Sequence, residues 1–186
     1  MSSGRWNPSG LAAVAISLVI LSSAPFARTE LSPVERAAQE DEIRASALRY
    51  QMLRWSTQGD RAELEARNES ERRLAKELNY RIYFISINGK DPGNDFVKRF
   101  QDLPREIRKV SQCKRKRRFL GWVVDKKTKQ NGIVFSADSI RWLTPYQVEV
   151  DGGYHCGKLC GGGEVFSMQL QDGKWVVTET LTSSIP

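Results

Sequence analysis

Cys156 and Cys160 bracket Gly157-Lys158-Leu159, and His155, the only histidine in the chain, directly precedes them. If those three residues close a tight hairpin, the two thiols face each other within disulfide range. So short a closed loop adds little stability. A bond from Cys113 to either one is the alternative; it would close a loop of more than forty residues, worth up to about 4 kcal/mol in the chain-entropy model. Three cysteines leave one thiol unpaired or paired between chains. His155, Cys156, Cys160 and Cys113 also form a possible four-ligand zinc set, but the Cys-x3-Cys spacing sits at the edge of what structural zinc uses. Neighbouring strand residues point to opposite faces, so His155 and Cys156 could share a metal only across a bulge. The expectation is a disulfide, with no metal and no cofactor.

Any imidazole acid-base chemistry must run through His155. A Cys-His nucleophilic pair would need a reduced thiol. No serine lies in a Gly-x-Ser-x-Gly setting, and Gly161-Gly162-Gly163 leads into a strand rather than a helix, which argues against a nucleotide-cradling loop. The remaining enzymatic reading places Tyr154 and His155 beside a pocket under a helix.

The elements that must position these residues are a series of short strands. Ile133-Val134-Phe135 with Ile140 to Leu143 following it, then Gln147 to Val150, then Val165 to Leu170, then Lys174 to Thr180 are four stretches separated by three turn signals: Thr144-Pro145, the glycine run, and Asp172-Gly173. Strands joined by short turns pair as neighbours, which predicts a four-stranded antiparallel meander over Gly132 to Ser183 and excludes a βαβ nucleotide fold. Upstream, Ser32-Pro33-Val34-Glu35 is a helix start, with a Ser cap, Pro at the first position and Glu at the third. Ile43, Ala47, Leu48, Met52 and Trp55 share one face of that helix and should cover the sheet. Thr57-Gln58-Gly59 interrupts the pattern, Asp60 offers a second cap, and the charged stretch to Leu78 reads as a solvated helix or an extension of the first. Tyr80 to Ile87 is a strand ending in the turn cluster Asn88 to Gly93; a short helix capped by Asp95 or Asp91 follows, and Pro104 stops it.

Between Arg105 and Lys129 there are eleven Lys and Arg against Glu106 and Asp125, an excess larger than the net charge of +7 for the whole chain. Val110 to Cys113 and Phe119 to Val124 look like strands, so Lys114, Arg115, Lys116, Arg117 and Arg118 would form a projecting tip or a polar edge. They are the candidate anion-binding residues. Such an edge also guards a sheet against aggregation. Nucleic acid is not expected as a partner, because Phe119 and Trp122 read as core residues rather than stacking platforms.

The first residues read as a leader. Arg5 precedes the apolar run Leu11 to Leu21, and small residues follow from Ser22 to Ala27, the pattern of a secretory signal peptide over 1–27. The run is short of the ~20 residues that span a bilayer. Export is the expectation, with no transmembrane span after cleavage; inner-membrane anchoring by an uncleaved segment is the alternative. The remaining length of about 160 residues suits one domain, with a helical segment over 28–79 and an α+β sheet region over 80–186.

Ser111-Gln112-Cys113, Gly152-Gly153-Tyr154-His155-Cys156-Gly157-Lys158-Leu159-Cys160 and Asp172-Gly173-Lys174-Trp175-Val176-Val177 together resemble an uncharacterised group of exported bacterial proteins. The resemblance runs from about Ile82 onward and implies export but no particular activity. A helix laid on an antiparallel sheet that ends in a Gly-Lys-Trp strand is also similar in outline to the cystatin and NTF2-like class. That class includes enzymes, ligand-binding domains and scaffolds, so the likeness selects no function. The expected molecule is an exported α+β domain, non-enzymatic, that binds an anionic envelope component or another protein, with its cysteines structural. The alternative is an NTF2-like small-molecule enzyme with a pocket between helix and sheet.

Overall fold

In the computed structural model, Ser32 caps the first helix as its sequence predicts. Its hydroxyl accepts from the Glu35 amide at 3.3 Å, and Glu35 Oε2 accepts from the Ser32 amide at 2.9 Å. The structure describes residues 32–115 and 121–184. The expected leader over 1–27 and three of the five tip cations, Lys116, Arg117 and Arg118, lie outside the described residues.

The helix, α1 (Pro33–Glu65), does not end at Gly59. Glycine costs about 1 kcal/mol inside a helix, but here the missing side chain makes room: a Cβ on Gly59 would stand 2.6 Å from Oδ1 of Asn79. Asp60 therefore caps nothing. The second helix, α2 (Glu69–Leu78), starts at Asn68, whose side chain accepts from the Glu71 amide, and ends on Asn79.

The strands are β1 (Ile82–Ser86), β2 (Glu106–Lys109), β3 (Cys113–Arg115), β4 (Val123–Asp125), β5 (Gly132–Thr144), β6 (Gln147–Gly157), β7 (Cys160–Gln171) and β8 (Lys174–Ser184). The meander of β5 to β8 forms with the expected antiparallel neighbours. Asp172 and Gly173, with φ of 49° and 74°, make the left-handed turn that a two-residue hairpin requires.

The sheet as a whole is mixed rather than antiparallel. Its six strands run in the order β2-β1-β5-β6-β7-β8, and β1 is parallel to both neighbours, Tyr83 opposite Ile107 on one side and Ile133 on the other. A parallel pair needs a crossover of a dozen or more residues. The chain from Ile87 to Arg105, including α3 (Asn94–Lys98), supplies one. Every residue of β1 is buried, as expected of a strand covered on both faces.

Two further expectations change. Neither Asp91 nor Asp95 caps α3: Gly93 occupies the cap position without a side-chain bond, and Asp91 instead accepts the Ser111 amide at 2.8 Å. Val110–Gln112 is a 3-10 turn, and the strand begins only at Cys113.

α1 lays Ile43, Ala47, Leu48 and Met52 on the sheet face that carries Phe135, Val150, Phe166 and Met168, which forms the main core. β3 and β4 pair antiparallel as a hairpin, apart from the large sheet. On the opposite face, Ile82 and Phe84 pack with Val123, Cys113 and Val134 in a second, smaller cluster. Among the described residues, no helix is long and apolar enough to cross a membrane.

Candidate functional site

Cys156 and Cys160 form a disulfide, with Cα atoms 5.2 Å apart. The turn is tighter than the three-residue loop expected: Gly157 pairs with Cys160, so Lys158 and Leu159 alone make the turn. A register shift between His155 and Gly157 places Cys156 in an irregular position from which it reaches Cys160. Cys113, the remaining cysteine, is free and half-buried in the small cluster under the β3–β4 hairpin. Burial pushes its thiol above the ordinary range. Among the described residues no group of His, Cys, Asp and Glu is placed to hold a metal ion.

Tyr154 and His155 stand on opposite faces of β6. Tyr154 pairs with Phe135 and lies 4.7 Å, ring to ring, from Trp55 of α1. Tyr83 and Phe135 rings meet at 5.0 Å in the same layer. Aromatic packing therefore fills the space beneath the helix around Tyr154. His155 pairs with Val134 and lies on the face that the β3–β4 hairpin covers. Its Nε2 is buried with no hydrogen-bond partner among the described residues. Burial first, and then the charge of Arg115, lower its pKa, so the imidazole is neutral at pH 7. An open cleft of about 570 Å3 lies elsewhere, lined by Gln39, Glu42, Ser46, Leu170, Lys174 and Trp175.

The basic stretch divides into structural and free cations. Arg105 is buried and donates to Asp60 at 2.5 Å and to Asn79 Oδ1 at 3.1 Å, while Asn79 Nδ2 donates to Glu63 at 2.6 Å. This network ties α1 to the start of β1 and β2. Arg108 pairs with Glu106 and with Asp125, which is 1 % exposed. The Thr128 amide and the Arg108 guanidinium hold the Asp125 carboxyl far below the usual range. Lys126 and Lys129 spend their ammonium groups on the carbonyls of Ser111 and Lys126.

Lys114, Arg115 and Lys127 are exposed and make no ion pair among the described residues. The turn between β6 and β7 adds Lys158, whose aliphatic arm lies over Gly121, 3.0 Å from where a Cβ would stand. Sequence spacing could not assign Lys158 to this surface. It lies thirty-seven positions from Gly121, and only the packing of the two hairpins brings them together. The exposed cations Lys114, Arg115 and Lys158 thus lie on the β3–β4 hairpin and on the turn that packs beside it, and Arg115 acts on His155.

The fold is thus α+β, a helical layer on one face of a mixed sheet, and the candidate site is a set of exposed cations. No family model, curated protein or solved structure matches the chain.

Proposed function

We propose that the protein is an exported, non-enzymatic binding domain that holds an anionic component of the bacterial envelope on the corner formed by the β3–β4 hairpin and the β6–β7 turn. One observation supports this reading: Lys114 and Arg115 on the β3–β4 hairpin and Lys158 on the turn that packs against Gly121 are exposed, with no carboxylate partner among the described residues. Opposing single-sign charge attracts a polyanion and releases its counterions, a gain that falls steeply with salt. Export rests on the leader pattern over 1–27 and agrees with a disulfide in the mature domain. A long helix on a sheet that ends in a meander supports placing the domain in the cystatin and NTF2-like class. The enzymatic alternative loses support from the opposed faces of Tyr154 and His155.

The test is co-sedimentation of the mature protein with vesicles containing phosphatidylglycerol and with a soluble anionic cell-wall polymer. Binding to one of them that weakens between 50 and 300 mM salt is expected, and Lys114→Glu/Arg115→Glu/Lys158→Glu should abolish it without changing the melting temperature. Binding that survives this charge reversal, or no binding at low salt, would reject the proposal.

A further inference from the structure

We propose that β8 is a dimerisation edge: two copies of the chain join their sheets by antiparallel pairing of β8 with β8, on a two-fold axis at Val176. This surface is independent of the anion-binding one.

The two edges of the sheet differ. β2 is four residues long and carries Glu106, Arg108 and Lys109, the short, charged form that resists pairing. β8 is eleven residues long, holds no proline, and among the described residues has β7 as its one sheet neighbour. Its only charged residues are Lys174 and Glu179. Both are exposed, and neither has an ion pair among the described residues.

The hairpin fixes which backbone groups of β8 face outward. Gln171 and Lys174 flank a two-residue turn and so form a hydrogen-bonded pair, from which the pairs alternate along the strands. Trp175 and Val177 therefore stand in non-hydrogen-bonded positions against Leu170 and Met168, with their N–H and C=O groups turned to the free edge. The Leu170 amide agrees with this alternation: it donates away from β8, to the Tyr146 carbonyl at 2.9 Å. A second β8, antiparallel with Val176 on the axis, sets Trp175 of each copy opposite Val177 of the other. Both outward amides of each copy then meet a carbonyl.

The side chains fit the same register. Trp175 is buried in the core under α1, so by alternation Lys174 and Val176 lie on the face away from the helix. Val176 is 41 % exposed; on the axis it meets its own copy in the close, non-hydrogen-bonded type of pair. The register shift between Ser167 and Met168 leaves Thr178 as an extra residue in β8, which brings Glu179, opposite Ser167, onto that face as well. Lys174 of one copy then comes beside Glu179 of the other, and the two-fold makes this contact twice. Because each copy uses its one long edge, the assembly closes at two.

Sedimentation equilibrium of the mature protein should show a monomer–dimer equilibrium with a dissociation constant of about 10–100 µM, suited to an edge contact smaller than a standard interface. Lys174→Glu and Glu179→Lys should each weaken it about tenfold, since each makes both charge contacts repulsive. Lys174→Glu/Glu179→Lys exchanges the charges and should restore it, which a merely structural role for either residue would not do. In a Cys113→Ser background, Val176→Cys should form an intermolecular disulfide on mild oxidation. Leu181→Cys, five residues from the axis on the same face, should not. A monomer up to about 500 µM, growth beyond a dimer, a double variant no better than the single ones, or equal cross-linking at positions 176 and 181 would overturn the assignment. Lys114, Arg115 and Lys158 lie outside β8, so loss of the dimer leaves anion binding to be judged by its own test.

Discussion

Gly59 and the Asn79 side chain occupy the same space: a Cβ at 59 would stand 2.6 Å from Oδ1 and 2.9 Å from Cγ of Asn79. The amide cannot simply turn away, because it donates to Asp60 and Glu63 and accepts from Arg105. A residue that reads as a helix break is thus the docking point of α2 on α1.

Gly59→Ala should destabilise the protein although alanine is the better helix former. The helix gains about 1 kcal/mol, while displacing Asn79 forfeits two or three hydrogen bonds to charged groups, each worth about 1.5–3 kcal/mol. In the Asn79→Ala background, where nothing fills that space, the same substitution should become neutral or stabilising. Urea denaturation of the four proteins of this double-mutant cycle measures the reversal; a Gly59→Ala effect of the same sign in both backgrounds would refute the docking role.

Asp125 should govern acid stability. Its folded-state pKa is depressed below the unfolded value of about 3.9, so its contribution is fully present above about pH 5 and drains away as pH falls from there toward the folded value. Asp125→Asn should cost about 2 kcal/mol at pH 7 and flatten the stability profile between pH 5 and 2. Chemical denaturation across that range checks both. A mutant curve parallel to the wild type would show that other carboxylates set the acid limit.

Arg54 and Glu164 should be unequal partners. Their ion pair spans 2.5 Å, but Arg54 keeps 26 % of its side chain in water and leans on the Tyr50 ring, whereas Glu164 keeps 9 %. Arg54→Ala strands a buried carboxylate and should cost about 3 kcal/mol. Glu164→Gln leaves a cation that can turn to solvent, and should cost about 1 kcal/mol. Melting temperatures in the opposite order would contradict the burial asymmetry.

The thiols should separate cleanly. Intact mass and peptide mapping of the oxidised protein should show one Cys156–Cys160 bond and one free thiol at Cys113. That thiol should alkylate slowly at pH 8, and faster only above the ordinary thiol value of about 8.5, because burial raises its pKa. Cys156→Ala/Cys160→Ala should lose only about 2 kcal/mol, the entropy of so short a closed loop. Rapid labelling of the folded protein at pH 7 would place Cys113 outside the cluster described here.

The elements legible in the residues alone are those whose signals are local. Ser32 and Glu35 lie three residues apart and close their capping box without help from the rest of the chain. Asp172-Gly173 adopts left-handed dihedrals from its own chemistry, and with Thr144-Pro145 it forces β5 to β8 into neighbouring antiparallel pairs. The Cys156–Cys160 bond belongs to the same class, since one tight turn brings both sulfurs together.

Tertiary structure decided what depends on residues far apart in the chain. β1 is parallel to β2 and β5 because a crossover returns the chain in the same direction, and no turn signal encodes that. Arg105 and Arg108 look like members of a solvated basic run until Asp60, Asn79 and Asp125 arrive from other elements to take them inside. Lys158 joins the free cations, and Tyr154 and His155 part to opposite faces, because two hairpins and a helix pack where they do. Charge type is written at each position, but whether a charge is buried, paired or free is fixed only by the partners that folding delivers.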